Sequence, residues 1–342
     1  GRAGVGVDNV DVKAATQKGV LVVNSPGGNT IAAAEHTIAM MLALSRNIPI
    51  ANSSTFMGKW ERKKFVGNEL FKKKLGVVGL GKIGTHVAKV ANALGMDVYG
   101  YDPFVSSERA QQLQVKLSEL KTLFEESDYV TLHLPRTSET ENLVDMKVLK
   151  TMKNNAKLIN CARGGIIDEE ALAEALNKSL IGGAAIDVFS EEPLDSNSPL
   201  LKVEKNLILT PHLGASTREA QENVAVDVAE QIRDVLLGLS ARTAVNIPGL
   251  SPDIMDSLKP HLQLAETMGL LISQLSGGQI QKLELRLQGE FVQHPSQPLI
   301  IASLKGLLSK ALGDRINYVN ASLEAESRGI SLVESKDEAR PE

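Results

Sequence analysis

Between positions 75 and 102 the chain sets out a strand, a glycine turn, a helix and a second strand in an order few folds accept. Leu75-Gly76-Val77-Val78 is a short apolar run, the mark of a strand buried on both faces. Gly79-Leu80-Gly81-Lys82-Ile83-Gly84 follows at its carboxyl end. Val87, Val90, Ala91 and Leu94 then recur at three- and four-residue intervals, which predicts one apolar face of a helix. Val98-Tyr99-Gly100-Tyr101 predicts the second strand, ending at Asp102.

Glycine at 79 permits a tight turn, glycine at 81 lets a pyrophosphate approach backbone N–H groups, and glycine at 84 lets helix pack closely on strand. Asp102 falls 18 residues past Gly84 (102 − 84), where an acid bonds the adenosine ribose hydroxyls. A carboxylate there repels a 2′-phosphate, and no basic residue directly follows it, so the turn predicts NAD rather than NADP. Gly4-Val5-Gly6 looks similar but has Asn9 in place of the third glycine, so it does not count as a cofactor site.

The remaining composition narrows the choices. At 342 residues and 43% hydrophobic content the chain buries a sizeable core in two or three domains. Net charge is −4, with no basic tract interleaved with aromatics, which argues against nucleic acid as a partner. Cys161 is the only cysteine, so no internal disulfide or cysteine metal cluster is expected and a reducing compartment fits. The longest apolar helix candidate, Ile31 to Leu44, is interrupted by Glu35 and His36 and is too short and polar to span a membrane. No signal or transit peptide is read at the N-terminus.

Three further motifs carry chemistry: Arg163 in C-A-R-G-G-I-I-D, Glu192 in D-V-F-S-E-E-P, and His212 in P-H-L-G-A-S-T. A guanidinium, a carboxylate and an imidazole are the parts needed to hold a 2-oxo or 2-hydroxy acid and move its proton while a nicotinamide moves a hydride. With G-R-A-G-V-G-V-D-N-V-D at the start, V-V-G-L-G-K-I-G-T, Y-D-P and the T-L-H-L-P strand end, the chain resembles the NAD-dependent D-isomer-specific 2-hydroxyacid dehydrogenases over nearly its whole length.

That resemblance implies an α/β protein. A doubly wound parallel-sheet NAD-binding (Rossmann-type) domain spans 28–211, and a partial flavodoxin-like substrate domain comprises 1–27 and 212–246. A truncated C-terminal α+β regulatory-type domain spans 247–342. Because Gly1 stands inside a family motif, an earlier substrate-domain segment is expected upstream. Arg163 matches the arginine that binds the substrate carboxylate, His212 the general acid/base, and Glu192, immediately before Pro193, the carboxylate that orients it; Glu191 is the neighbour most easily mistaken for it. Gly79, Gly81, Lys82, Ile83, Gly84, Asp102, His133, Leu134, Cys161, Ala162, Asp187, Gly214 and Ala215 are expected at the cofactor, Asp187 against the carboxamide. Arg2, Gly4 and Val5 join Arg163 and His212 at the substrate.

The implied reaction is oxidation of D-3-phosphoglycerate to 3-phosphohydroxypyruvate with NAD, by a homodimer or homotetramer in a bacterial cytoplasm, with a plastid stroma second. The same core serves hydroxypyruvate, glyoxylate or D-lactate types, and an NAD-binding corepressor-like scaffold is the second functional class. No metal is expected. His36, His86, His261 and His294 read as surface or packing residues.

Locally, a long helix is expected from Ser216 to Leu237, capped by Ser216 and stopped by Gly238, with Val224, Val228, Ile232 and Val235 on one face. Pro248-Gly249 is the sharpest boundary signal. Leu283, Leu285 and Leu287 alternate with polar residues as a half-buried strand, Lys305 to Leu312 reads as a short helix, and Asn317 to Ala321 leads into another. Glu334 to Glu342 reads as a frayed end.

Overall fold

The computed structural model describes residues 1–7, 9–247, 252–289, 292 and 295–337. The Pro248-Gly249 joint, His294 and residues 338–342 lie outside them. The chain forms two compact units, one of Gly27–Glu222 and one of Gly1–Pro26 with Asn223–Glu342. Its elements begin with helix α1 (Val12–Gln17), then α2 (Thr30–Ser45) and α3 (Ile48–Phe56).

The Gly27–Glu222 unit is built on seven parallel strands: β1 (Lys74–Val78), β2 (Asp97–Tyr101), β3 (Lys116–Leu117), β4 (Tyr129–Leu132), β5 (Lys157–Asn160), β6 (Gly183–Ile186) and β7 (Leu207–Leu209). Their spatial order is β3-β2-β1-β4-β5-β6-β7. Strands β4, β5 and β6 are buried throughout, which is why they read as unbroken apolar runs. Side chains alternate between two cores: Val130, Leu158, Ala184 and Ile186 point to one, Tyr129, Ile159 and Ala185 to the other.

Helices cover both faces. Leu149 of α7 (Met146–Thr151) and Leu172 of α8 (Glu169–Asn177) fill the first core, with Leu123 of α6 (Leu120–Glu126). The second holds α2 against α4 (Lys82–Ala93), through Met41, Leu44, Val87 and Ala91; α5 (Ser107–Gln112) sits near the β3 edge. Nine of the sixteen residues of α2 are buried, on several faces, because it is wedged between α4 and strands β5 to β7. The sheet order reverses between β1 and β4, and doubly wound sheets take their ligands at the strands' carboxyl ends beside such a reversal.

This unit runs past the expected limit at Pro211 as far as Glu222, because Leu213 and Gly214 bond to Asp187 and Ala220 is buried. Helix α9 (Arg218–Leu236) starts one residue later than a Ser216 cap implies: the hydroxyl that accepts the Ala220 N–H is that of Thr217. Gly238, with φ +78°, ends it as expected. Val224 and Val228 are buried, but Ile232 is exposed.

In the other unit, residues 1–26 are tied to the later chain by Val245 N to Val22 O (2.8 Å), Val22 N to Asn246 Oδ1 (2.9 Å) and Asn317 Nδ2 to Gly19 O (2.9 Å). Residues 1–26 thus fall in one compact unit with Asn223–Glu342. Helix α10 (Pro252–Leu275) packs along α11 (Gln297–Leu312). The two touch backbone to backbone, since a Cβ on Gly306 would fall 1.9 Å from Glu266 O. Helix α11 begins at Gln297, well before the expected Lys305, with Pro298 in its first turn, where no N–H is needed.

Strand β8 (Lys282–Gln288) pairs in parallel with β9 (Ser331–Asp337), and α12 (Ala321–Ser327) precedes β9. Glu334 to Asp337, expected to fray, are thus part of a strand: their backbone pairs with β8 although their side chains are polar.

Candidate active site

The glycine turn closes the reversal point. Gly79 has φ +95°, and a Cβ there would fall 2.5 Å from His133 O at the end of β4. A Cβ on Gly84 would fall 2.0 Å from Gly79 O, so helix and turn are in contact. Gly81, the N-cap of α4, faces open space, and no side chain caps this end. The first N–H groups of α4 therefore point at a volume that an anion fits.

The Lys82 ammonium stands beside it, 3.5 Å from where a Cβ on Gly27 would be, while Ile83 packs into the α4 core. Asp102 directly follows β2, with Oδ2 accepting from Leu80 N (2.8 Å) and Oδ1 from Phe104 N (2.9 Å). These bonds fix a carboxylate at the lip of the turn. The residues present fit a dinucleotide.

Across the reversal, His133 N bonds to Val78 O (2.7 Å) and its ring meets Thr131 Oγ1 (3.1 Å). Burial holds the His133 imidazole down at about 4, so it is neutral at working pH. Leu134 packs against the first core. At the end of β5, Asn160 is 1% exposed and clamps the next turn, its Oδ1 accepting from Ala162 N (3.0 Å) and its Nδ2 donating to Arg163 O (2.9 Å). Arg163 in turn donates from Nη1 to Ala162 O (2.6 Å). Burial, with the Asp187 charge beside it, pushes the Cys161 thiol up to about 12.

His212 and Glu192 meet directly. Glu192 Oε1 accepts from Phe189 N (3.0 Å), and Oε2 lies 2.7 Å from His212 Nδ1. With Nδ1 held by a carboxylate, Nε2 is left for proton transfer. His212 has φ +56°, a left-handed conformation uncommon outside glycine, kept in place by its own N–H to Asp187 O (2.8 Å). Both side chains are part-exposed, at 47% and 36%. Gly214 N donates to Asp187 Oδ2 (2.9 Å), and Ala215 O accepts from Thr217 N (3.0 Å).

The strand-order reversal, the glycine turn and the carboxylate-bound histidine all lie in a stretch that a known family matches. Residues 38–214 match the D-isomer specific 2-hydroxyacid dehydrogenase, NAD binding domain. The chain belongs to the D-isomer specific 2-hydroxyacid dehydrogenase family. NAD is the cofactor of that domain. Residues 257–342 match the D-3-phosphoglycerate dehydrogenase intervening domain.

Among curated relatives, D-3-phosphoglycerate dehydrogenase of Synechocystis is 62% identical over 338 residues, 98% of this chain and 61% of that protein. The Archaeoglobus fulgidus protein of the same name is 49% identical, over 99% of this chain and 64% of its own length. The chain thus spans less than two thirds of these relatives. Among solved structures, the TT0316 protein of Thermus thermophilus aligns with a TM-score of 0.66 and 36% identity, over 71% of this chain and 77% of that one.

In the other unit, Arg2 N bonds to Val23 O (2.8 Å) and its guanidinium folds back toward Gly4, whose φ is +147°. Val5 O accepts from Asn24 Nδ2 (2.7 Å). Sequence reasoning missed three contributors. Asn160 reads as one more strand residue, His36 as a surface or packing residue, and Thr210 carries no motif at all, yet His36 and Thr210 both meet the buried Asp187.

Proposed function

We propose that this 2-hydroxyacid dehydrogenase oxidises D-3-phosphoglycerate to 3-phosphohydroxypyruvate, the entry step of serine synthesis. The observation that carries the dehydrogenase reading is the 2.7 Å contact between Glu192 and His212, on the same sheet as the glycine turn. Bound NAD supplies the hydride acceptor for the substrate C2 hydrogen. His212 Nε2 takes the hydroxyl proton as that C–H bond breaks, and returns it in the reverse direction. Glu192 stabilises the resulting imidazolium and fixes the ring.

Arg163 pairs with the substrate carboxylate. Its fork matches two carboxylate oxygens, which a lysine cannot do. Gly79, Gly81, Lys82, Ile83 and Gly84 receive the pyrophosphate, Asp102 the ribose, and His133, Leu134, Cys161, Ala162, Asp187, Gly214 and Ala215 the nicotinamide end. A share for Arg2, Gly4 and Val5 in substrate binding rests on the resemblance alone. The choice of a phosphorylated acid rests on the relatives' names and on the intervening-domain match at 257–342.

Assembly as a homodimer or homotetramer is supported by an apolar surface after α2, where Phe56, Trp60 and Val66 are each at least 80% exposed. A bacterial cytoplasmic location, with plastid stroma second, belongs to the same proposal. No described helix is long and apolar enough to cross a membrane.

Arg163→Ala and Arg163→Lys test the site by steady-state kinetics. The Ala variant should raise KM for the hydroxy acid and lower kcat, with Lys restoring only part; two variants with parental KM and kcat would remove Arg163 from the site.

A further inference from the structure

We infer that His36 is a positioning residue: from α2 it holds the Asp187 carboxylate, around which the loop carrying His212 is built. The inference rests on the acid/base reading of His212.

Asp187 follows the last residue of β6 and is wholly buried. Its Oδ1 accepts from Thr210 Oγ1 (2.5 Å) and Leu213 N (2.8 Å) and lies 3.1 Å from His36 Nε2; its Oδ2 accepts from Gly214 N (2.9 Å). Its carbonyl oxygen accepts from His212 N (2.8 Å). Three consecutive backbone N–H groups, of residues 212, 213 and 214, thus converge on one residue, and they hold His212 in its left-handed conformation.

The arrangement suits an ionised carboxylate, which accepts at every site, because the Leu213 and Gly214 N–H groups can only donate. A buried charge is costly unless paired, and the groups that face Asp187 leave one candidate for the pairing. Cys161, from the end of β5, is a neutral thiol; Thr210 and the backbone groups are dipoles. His36, 19% exposed on α2, is the basic group in contact.

Burial alone would raise the Asp187 carboxyl, but hydrogen bonds from His36, Thr210 and Leu213, together with the His36 charge, bring it below its ordinary value. His36, Cys161 and Asp187 also bring a nitrogen, a sulfur and an oxygen within 4.8 Å of one another, a possible metal cluster. Asp187 Oδ1 is already taken by short hydrogen bonds and the thiol is held protonated, so the direct His36–Asp187 pair accounts for the arrangement.

The test compares His36→Leu, His36→Gln and Thr210→Val with the parent, using kcat, KM for the hydroxy acid and NADH binding. Removing the His36 donor leaves the buried Asp187 carboxylate short of a partner and loosens the loop that carries His212. The loss falls on kcat, by at least about tenfold in His36→Leu, more than on KM, and Gln, whose amide N–H donates in place of the imidazole, restores most of it. Thr210→Val, which removes another donor to the same Asp187 oxygen, lowers kcat in the same way and tests the Asp187 anchor should His36→Leu fail to fold. Parental kcat in either folded variant, or Gln no better than Leu, overturns the inference. His212→Asn separates the two readings: its activity decides the acid/base role, while kcat in the His36 series decides the positioning role.

Discussion

At the residue scale, the chemistry forces the side chain, and that made the meeting of Glu192 and His212 legible. A proton acceptor that works near neutrality calls for histidine, and His212 stands 2.7 Å from the carboxylate that the Glu-Pro pattern selects. Replacing His212 with Ala should lower kcat by about 10²- to 10⁴-fold with NADH affinity retained; kcat near the parental value would end the assignment. Cys161 should behave as an inert core group. With its thiol pushed up to about 12, only about one molecule in 10⁴ is thiolate at pH 8, so labelling by a maleimide under native conditions should be slow, and rapid labelling would contradict the burial.

His133 makes a pH prediction with a definite sign. Its folded value of about 4 lies below the unfolded 6.5, so the unfolded chain binds the extra proton first. Stability contributed by the neutral ring is complete above the unfolded value and is lost as pH falls from 6.5 towards 4. His133→Asn should therefore lose less thermal stability over that window than the parent, and equal losses would refute the shift. Asn160, Thr210 and His36 were not legible for a reason: His36 and Asp187 are 151 positions apart (187 − 36), and only the wedging of α2 against the sheet joins them.

At the scale of elements, periodicity reported what burial imposes. Strands β4 to β6 and helix α2 were readable because a doubly wound sheet buries them on more than one side. Strand β9 was not, since its Glu-Ser-Lys-Asp end offers no apolar alternation and its pairing with β8 is fixed by a partner 49 residues earlier in the register (331 − 282). The glycine turn yields a paired prediction. Gly81→Ala should leave the melting temperature unchanged, because nothing lies within 4 Å of the new methyl, yet weaken NAD binding. Gly84→Ala meets Gly79 O at 2.0 Å and should cost about 1–3 kcal/mol of stability as well. Calorimetry with NAD titration distinguishes them; equal melting temperatures would mean that the turn is not closed as described.

At the scale of the whole molecule, the sequence placed a cofactor domain within a larger protein, but its boundaries moved once contacts decided them. The His212 loop stays with the sheet through Asp187, and the chain changes unit only after Glu222, inside α9. The exposed Phe56, Trp60 and Val66 carry the proposed contact with a second copy. Trp60→Glu should shift the protein towards monomer in light scattering, and an unchanged mass would place the interface elsewhere.

Substrate choice also belongs to this scale, since the roles proposed for Arg163, Glu192 and His212 are the same for every 2-hydroxy acid. The central claim is tested most directly by following NADH oxidation with 3-phosphohydroxypyruvate against hydroxypyruvate, glyoxylate and pyruvate. A kcat/KM for the phosphorylated acid well above the other three is the expected result. Preference for an unphosphorylated acid, or NADH binding without turnover of any of the four, would contradict it.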